Sequence, residues 1–275
     1  MKLPDNIDKV TIETSTGTSA FPSNGFIEFE EGNDGGGDNY GLYWAIGREN
    51  EEPMVCHKIH EESLLVPEFP NLNSFLKWYY AEQGQTADFI TSSDKPFFLD
   101  LYNKAKVLTK NDKTQDAILI LEKSIEQFAE FTDSWALLAD NYYKQHEVDK
   151  AEYASLNSII SNYAFGLPSK KAIDQFNKIN SSGKYKDHPL VKRKDGLLSG
   201  GNYVNPFTIN YFSILDAIAE FEKLFDYRSA LILEQNYAYL MSFEKIEVKE
   251  KYNFNSSIWV KNFKDKVLIF FPDRE

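Results

Sequence analysis

The chain has 275 residues, of which 42% are hydrophobic and 15% aromatic, so it is expected to fold around a core rather than stay disordered. It has no apolar run near the ~18 residues of a membrane span, and its first ten residues contain no apolar signal-peptide core. A single cysteine, Cys56, excludes an internal disulfide. These features predict a cytoplasmic protein.

The formal net charge of −12 is unevenly distributed. Residues 1–84 contain 15 Asp and Glu against 5 Lys and Arg, a net charge of −10, whereas the remainder contains 27 against 25, a net charge of −2. An acidic region repels nucleic acid and anionic lipid and attracts basic partners. We therefore predict neither a nucleic-acid nor a membrane partner. The alternative is that the charge serves solubility alone.

The first 84 residues predict β-strands. Short apolar runs, bounded by Gly, Pro, Asn and Asp, recur about every ten residues and indicate an antiparallel meander. The runs are KVTIET (9–14), GFIEFE (25–30), GLYWAIG (41–47) and PMVCHKI (53–59). A helix is predicted to close this region, beginning near Asn71 after Pro70 and ending at Gly84.

From residue 85 onward the spacing of apolar residues changes to the three and four of helices. A first helix is predicted with Ser93 or Asp94 as its N-cap and Pro96 in its first turn. Further helices are expected within 113–131, 133–146, 147–165, 208–225 and 227–243. The pattern is weaker over residues 169–210, where NSSGKYKDH (180–188) and LLSGGNYVNP (197–206) indicate loops or short turns. The C-terminal stretch, 257–275, is compatible with a helix or a strand. The predicted fold class is α+β, with domains at 1–84 and 85–275.

One part of the helical region resembles the tetratricopeptide repeat. Its signature of Trp, Leu, a small residue, an aromatic and Ala occurs once and is partly repeated 34 residues earlier. The positions assigned to repeat packing are Trp135, Leu138, Ala139, Tyr142 and Ala151, then Leu101, Ala105 and Ala117. A degenerate third unit is predicted near Phe212, with Ala217 or Ala219 and Ala230. An ordinary helical hairpin with alanines at the crossing is the alternative.

Three interpretations compete for the glycine-rich stretch NDGGGDNYG: a phosphate loop, a metal loop and a turn. A phosphate loop needs a following Lys and Ser or Thr before a helix, and a calcium loop needs alternating acidic ligands and a distal Glu. Neither pattern is present. We therefore predict a hairpin turn in which Gly35, Gly36 and Gly37 permit positive φ, with Asp34 and Asp38 bonding nearby backbone donors.

The sequence offers little for catalysis or metal binding. Cys56, His57 and His60 suggest zinc, but there is no second Cys and the other histidines are far along the chain. The same scarcity argues against a Cys/His nucleophile. We predict a protein without metal, cofactor or enzymatic activity.

A surface of aromatic and acidic residues remains as the candidate binding site. Rings supply buried contact area at an interface, and carboxylates select a basic partner. The predicted partner-binding residues are Asp34, Asp38, Tyr40, Tyr43, Trp44, Glu49, Glu51 and Glu52. The alternative is that Tyr43 or Trp44 belongs to the core, because neighbours on a strand face opposite sides.

The N-terminal region resembles the SUKH superfamily, which includes bacterial toxin-immunity proteins and yeast regulators of cell-wall synthesis. The resemblance rests on GGGDNYGLYWAIG, EEPMVCHKIHEE and SLLVPEFPNLNSFLKWY. Gly37 and Asp38 match the family's glycine-rich turn, and Ser74, Phe75 and Leu76 match the start of its closing helix. The usual entry helix is replaced by a strand pattern. The resemblance implies a non-enzymatic α+β domain that binds other proteins, often an acidic domain that neutralises a basic nuclease toxin.

Three functions follow from these observations. The first is a cytoplasmic immunity protein whose acidic N-terminal domain neutralises a basic toxin. The second is an adaptor that holds a partner peptide in the groove of its helical repeats. The third is a hydrolase or metal-dependent enzyme with an unfamiliar site.

Overall fold

A computed structural model describes residues 1–13, 19–33, 36–87, 96–201, 208 and 210–274. The N-terminal part is a four-stranded antiparallel sheet in the order β1-β2-β3-β4. The strands are β1 (Phe26–Glu28), β2 (Asn39–Tyr43), β3 (Met54–Ile59) and β4 (Leu64–Phe69). The predicted meander and the α+β class are confirmed.

The predicted first strand, residues 9–14, is wrong. Ile7–Lys9 forms a 3-10 turn, and the described residues that follow are joined to the sheet only by a bridge between Ile12 and Phe29. Two backbone hydrogen bonds, from Glu13 N to Glu28 O at 2.9 Å and from Glu30 N to Thr11 O at 3.0 Å, hold this segment beside β1. It covers the edge of the sheet without forming a regular strand.

The helices account for most of the remaining chain. They are α1 (Leu72–Glu82), α2 (Phe98–Lys110), α3 (Thr114–Gln127), α4 (Thr132–Lys144), α5 (Val148–Ile160), α6 (Lys170–Lys178), α7 (Pro189–Lys192), α8 (Lys194–Leu197), α9 (Tyr211–Lys223), α10 (Tyr227–Phe243), α11 (Ile246–Lys251) and α12 (Ser256–Phe270). Short 3-10 turns follow at Tyr163–Phe165 and Pro272–Arg274. No helix in the described ranges combines the length and the apolar character needed to cross a membrane.

The ends of α1 were predicted correctly. The Asn71 side chain accepts a hydrogen bond from Ser74 N at 2.9 Å, and Gly84 follows the helix with a φ of 69°. At α2 the prediction was wrong, because Pro96 precedes the helix by two residues and Phe97 is the N-cap. The proposed caps Ser93 and Asp94 lie outside the described residues.

The weak stretch 169–210 contains three helices that the sequence did not predict, α6, α7 and α8. The predicted loop at 180–188 is observed between α6 and α7, and the second predicted loop, 197–206, begins at the end of α8 and lies partly outside the described residues. The ambiguous C-terminal stretch is helical. Asn255 caps α12 by accepting from Ile258 N at 3.0 Å, and Trp259, Phe263 and Val267 recur every four residues against the core.

Three helical hairpins share one turn geometry. Asp112, His146 and Phe225 occupy the left-handed region, with φ of 55°, 60° and 61°. The next residue in each turn donates its N–H to a carbonyl five residues earlier at 3.0 Å: Lys113 to Leu108, Glu147 to Tyr142 and Asp226 to Phe221. The α9–α10 pair therefore turns as the α2–α3 and α4–α5 pairs do.

Alanines are buried inside each hairpin, where the helices cross. The alanines singled out from the sequence have no exposed surface, except Ala219: these are Ala105, Ala117, Ala139, Ala151, Ala217 and Ala230. Trp135, Leu138 and Tyr142 are buried in the same cluster as the first four. Leu101 is not, because it faces a groove described below while Tyr102 enters the cluster. The hairpins are thus observed, and the tetratricopeptide resemblance stays a prediction.

The sheet is covered on both faces, which explains why every residue of β2 is buried. Tyr40, Leu42 and Trp44 pack with α1 in one cluster. Tyr43 and Ala45, which face the other way, pack with aromatic side chains of the helical region, namely Phe98, Phe128 and Phe165. Residues 1–84 and 85–275 therefore share a core.

Candidate functional site

A buried carboxylate joins the sheet to the helices. Glu130, which has no exposed surface, accepts hydrogen bonds from the Tyr43 hydroxyl at 2.6 Å, Ile46 N at 3.0 Å and Asn162 Nδ2 at 3.1 Å. The guanidinium of Arg228 lies 3.7 Å away. Burial, followed by the nearby Glu130 charge, raises the pKa of Tyr43 well above its ordinary value, so this hydroxyl stays protonated and acts as a donor.

A second buried joint involves the C-terminal segment. The Arg274 side chain is 1% exposed, and all five of its N–H groups have partners. It donates to Asn24 Oδ1 and O, to Trp44 O and Ala45 O, and to Glu49 Oε1 at 2.6 Å. Both joints have satisfied partners, so their role is to lock the architecture together.

The candidate binding site is a groove of about 1,050 Å³, here called the junction groove, between the sheet and the first hairpin. The β2–β3 connection and the start of α1 form one side, and the start of α2 and the end of α3 form the other. Met54, Phe97 and Leu101 supply partly buried apolar surface. The volume and the mixed lining suit a short extended segment of another molecule.

Charged side chains surround this apolar surface. Glu51, Glu52 and Glu126 are exposed, and the cations at the groove are Arg48 and Lys123. Arg48 is already engaged, donating to Gln127 O at 2.8 Å, to Glu126 O and to the Glu51 carboxylate at 3.2 Å. Because it caps the negative end of α3, little of its charge is left for a ligand. The carboxylates at the groove outnumber the cations by three to two.

The structure corrects the predicted partner-binding surface. Tyr40, Tyr43, Trp44 and Glu49 are all buried. Glu49 forms an ion pair with Arg274. Tyr40 and Trp44 pack between the sheet and α1, and Tyr43 packs between the sheet and the helical region. The sequence interpretation assumed one solvent-facing side of β2, and that side does not exist. Tyr43 and Trp44 still line the floor of the junction groove, beneath Glu51 and Glu52.

The predicted acidic residues also do not form a single surface. Asp38 precedes β2 and accepts from His60 N at 2.6 Å, whereas Glu51 and Glu52 follow the opposite end of that strand. Five strand residues separate the two ends by roughly 17 Å. Asp34 and Gly35 lie outside the described residues.

The glycine turn keeps its conformational role at one position. Gly37 has a φ of 89°, which suits a residue without a side chain, and His60 from the neighbouring connection lies beside it. Gly36 is exposed. The described part of the turn leads into β2.

The cysteine–histidine stretch is accounted for by packing. Cys56 is buried, and burial together with the charge of Glu68 raises the pKa of its thiol well above the ordinary value. His57 stacks on Tyr40 with 4.6 Å between ring centroids and lies 3.4 Å from Glu68. Within the described part of the chain, no group of three or more His, Cys, Asp or Glu could hold a metal ion.

Sequence reasoning missed the groove and both joints. Phe97, Phe98 and Phe128 could have been noticed as aromatics flanking helix ends, but Glu130 and Arg274 carry no local signal of burial. Their partners lie 32 to 250 residues away along the chain, as the Glu130–Asn162 and Arg274–Asn24 contacts show.

Comparisons with known proteins agree with one another. A model of the YfbP N-terminal domain matches residues 11–88, and a model of the YfbP C-terminal domain matches residues 200–274. The uncharacterized protein YfbP of Escherichia coli (strain K12) is 30% identical over 259 residues, covering 92% of this chain and 90% of that protein. No solved structure matches. The chain belongs to the YfbP family.

Proposed function

We propose that this protein is a non-catalytic protein-binding protein whose junction groove holds a short basic segment of a partner. The observation that carries the proposal is the combination of apolar floor and acidic rim at the groove. Met54, Phe97 and Leu101 offer surface for an apolar side chain, and Glu52 and Glu126 offer carboxylates for Lys or Arg. Apolar contact supplies affinity, and charge selects the partner.

Selection from a random dodecapeptide phage library tests this proposal. We expect enriched peptides that combine Lys or Arg with an apolar residue. A variant with Glu51, Glu52 and Glu126 changed to Gln should bind them at least about tenfold more weakly, because the rim loses three negative charges, two of them on the carboxylates offered to Lys or Arg.

The matched control changes Glu61, Glu62 and Glu82 to Gln, since these three carboxylates are also exposed but do not line the groove. It alters the net charge equally and should leave binding unchanged. Equal loss in both variants would reduce the effect to general electrostatics, and failure to enrich any peptide would overturn the groove as a binding site.

The narrower proposal is that the partner is a basic nuclease-type toxin, which makes this a cytoplasmic immunity protein. The net charge of −10 in residues 1–84 and the SUKH resemblance support it. The test is binding of the purified protein to basic toxin domains encoded in the same genome, with protection of the toxin's substrate as the readout. Absence of such binding would remove the immunity function and leave the groove proposal intact.

The adaptor hypothesis, in which the helical hairpins hold the partner, overlaps with this proposal because α2 and α3 form one wall of the groove. Deleting residues 1–84 cannot separate the two, since it would expose Phe98, Phe128 and Phe165. Surface variants that leave the shared core intact are the better discriminator.

A further inference from the structure

The turn between α9 and α10 carries an exposed pair of apolar residues. Leu224 is 58% exposed and Phe225 is 76% exposed. The α2–α3 and α4–α5 turns have the same backbone geometry, and their equivalent positions are occupied by the polar pairs Asn111–Asp112 and Gln145–His146, which are also exposed. The α9–α10 turn therefore differs from the other two in the chemistry of its surface and not in its conformation.

Phe225 gains little from the fold at this position. Its φ of 61° lies in the left-handed region, which is unfavourable for a bulky side chain and is better suited to Asn or Gly. Because most of its ring meets water, burial within the chain does not offset this cost. An exposed aromatic residue in an unfavourable conformation points to a role beyond the stability of the single chain.

Other apolar side chains continue this surface onto the end of α12. The ring centroids of Phe225 and Tyr227 are 6.1 Å apart, and Tyr227 stacks on Phe270 at 3.9 Å. Ile269, which is 75% exposed, follows Lys266 by three residues and so lies on the side of α12 that bonds to the end of α9. We name this surface the turn face, and its residues are Leu224, Phe225, Tyr227, Ile269 and Phe270.

The turn face is separate from the junction groove, since none of its five residues lines that groove. Exposed apolar side chains that lie together on a folded chain mark interaction sites more often than apolar residues scattered singly do. Aromatic and aliphatic side chains of this kind form the dry centre of protein interfaces, with polar groups at the rim. The turn face therefore has the character of an interface centre.

The charges around the turn face indicate which partner it fits. The charged side chains near it that already have partners within the protein are Arg228, Glu222, Glu234, Lys266 and Asp273. At the turn itself, Lys223 and Asp226 are exposed on either side of the apolar pair, and Asp265 is exposed one turn before Ile269 on α12. A uniformly acidic or uniformly basic partner would meet a repulsive charge here, whereas a partner that carries both signs in the same order would not.

A second copy of the chain meets this requirement. In a twofold dimer the same surface of both copies meets, so a residue on one side of the axis faces the residue on the other side. With the axis beside Phe225, Lys223 of each copy comes opposite Asp226 of its partner. We propose that the turn face joins two copies of this chain in a symmetric homodimer, with Phe225 at its centre and reciprocal Lys223–Asp226 pairs at its rim. The net charge of −12 on each copy opposes association, so we expect a dimer that forms in the micromolar range.

Sedimentation equilibrium of the full chain, from low to high micromolar concentrations, tests the proposal. The average mass should rise from that of the monomer towards twice that value. Phe225→Asn and Ile269→Ser should each weaken the dimer at least about tenfold, because each removes apolar surface from its centre. Phe225→Asn is the more informative of the two, since Asn suits the left-handed turn position, and melting at low protein concentration should show it to be at least as stable as the wild type. Loss of its dimer is then not a consequence of misfolding.

Val107→Ser is the matched control. Val107 is 58% exposed on α2 and does not belong to the turn face. This variant removes a comparable exposed apolar side chain and should leave the dimer unchanged.

Exchange of the rim charges tests the twofold arrangement. Lys223→Glu and Asp226→Lys should each weaken their own dimer, because like charges then meet across the axis. An equal mixture of the two variants should dimerise again, since the introduced carboxylate of one meets the introduced ammonium of the other. Asp226 also caps α10 by accepting from Ser229 N at 3.1 Å, so thermal melting must show that Asp226→Lys is folded. Lys223→Glu does not touch this cap and tests the charge pairs by itself.

Three results would overturn the proposal. A wild-type chain that stays monomeric at every concentration would exclude a second copy as the occupant and leave the turn face to a different protein. A dimer of undiminished affinity in Phe225→Asn would place the contact elsewhere. Folded charge variants whose mixture dimerises no better than either one alone would exclude the reciprocal pairs. Peptide binding in the junction groove is measured separately and should be unchanged in all of these variants.

Discussion

Replacing Arg274 tests whether the C-terminal segment locks the sheet to the helical region. Arg274→Ala removes five donors from backbone and side-chain acceptors and leaves the Glu49 carboxylate, 5% exposed, without its cation. Breaking a buried ion pair in this way costs about 3–5 kcal/mol. For a chain of this size we expect the thermal midpoint to fall by roughly 6–15 °C.

Three further variants make the interpretation specific. Arg274→Lys keeps the charge but offers three donors for five acceptor contacts, so its midpoint should lie between those of Arg274→Ala and the wild type. Glu49 was predicted to bind a partner protein. Because it pairs with Arg274 instead, Glu49→Gln should lower the stability of the fold and not act on partner binding alone. The double variant Arg274→Ala, Glu49→Gln should be at least about 1 kcal/mol more stable than the two single losses predict by addition.

Thermal melting followed by circular dichroism gives the midpoint, and urea unfolding at neutral pH gives the free energy of unfolding. Lys261→Ala, an exposed substitution on α12, should stay within about 0.5 kcal/mol of the wild type. If Arg274→Ala melts within 2 °C of the wild type, on the order of 1 kcal/mol or less, the buried pair does not hold the C-terminal segment and the reasoning fails.

The remaining predictions concern the helical region. Burial lowers the pKa of His188 to about 4 from 6.5, against the opposing effect of nearby carboxylates, so the unfolded chain takes up the proton first. The contribution of neutral His188 to the free energy of unfolding should be fully present above pH 6.5 and should fall by up to about 3 kcal/mol as the pH drops towards 4. His188→Asn, which can still cap α7, should flatten this pH dependence in urea titrations. Ala139→Leu should destabilise by about 1–3 kcal/mol because the helix crossing has no space, whereas Ala219→Leu, at an exposed position of α9, should change stability by less than about 0.5 kcal/mol. Phe225→Asn should raise stability by about 1 kcal/mol in thermal melts, since Phe225 has a φ of 61° and is 76% exposed; no gain would show that the turn carries no strain.

The burial of the predicted interface has a simple cause. Alternation along β2 correctly places Tyr43 and Trp44 on opposite faces, and from one strand alone the natural inference is that one face meets solvent. Whether a second layer covers that face depends on residues far along the chain. Here Phe98, Phe128 and Phe165 provide it, so an apparent aromatic surface is core.

Local signals in the sequence determined the elements themselves. The meander, the cap at Asn71, the stop at Gly84 and the buried alanines of the hairpins all depend on interactions within one turn or between adjacent elements. Such interactions leave periodic patterns and capping residues in the sequence. The α+β class followed from them directly.

Only the tertiary structure decided how these elements meet and where surface remains. The joint at Arg274 connects residues 225 to 250 positions apart, and the turn face joins the start of α10 to the end of α12. A buried Glu130 looks the same in the sequence as an exposed Glu126. Burial is a property of the assembled layers, so the junction groove, the turn face and the loss of the predicted acidic surface became visible only after the sheet and helices were packed together.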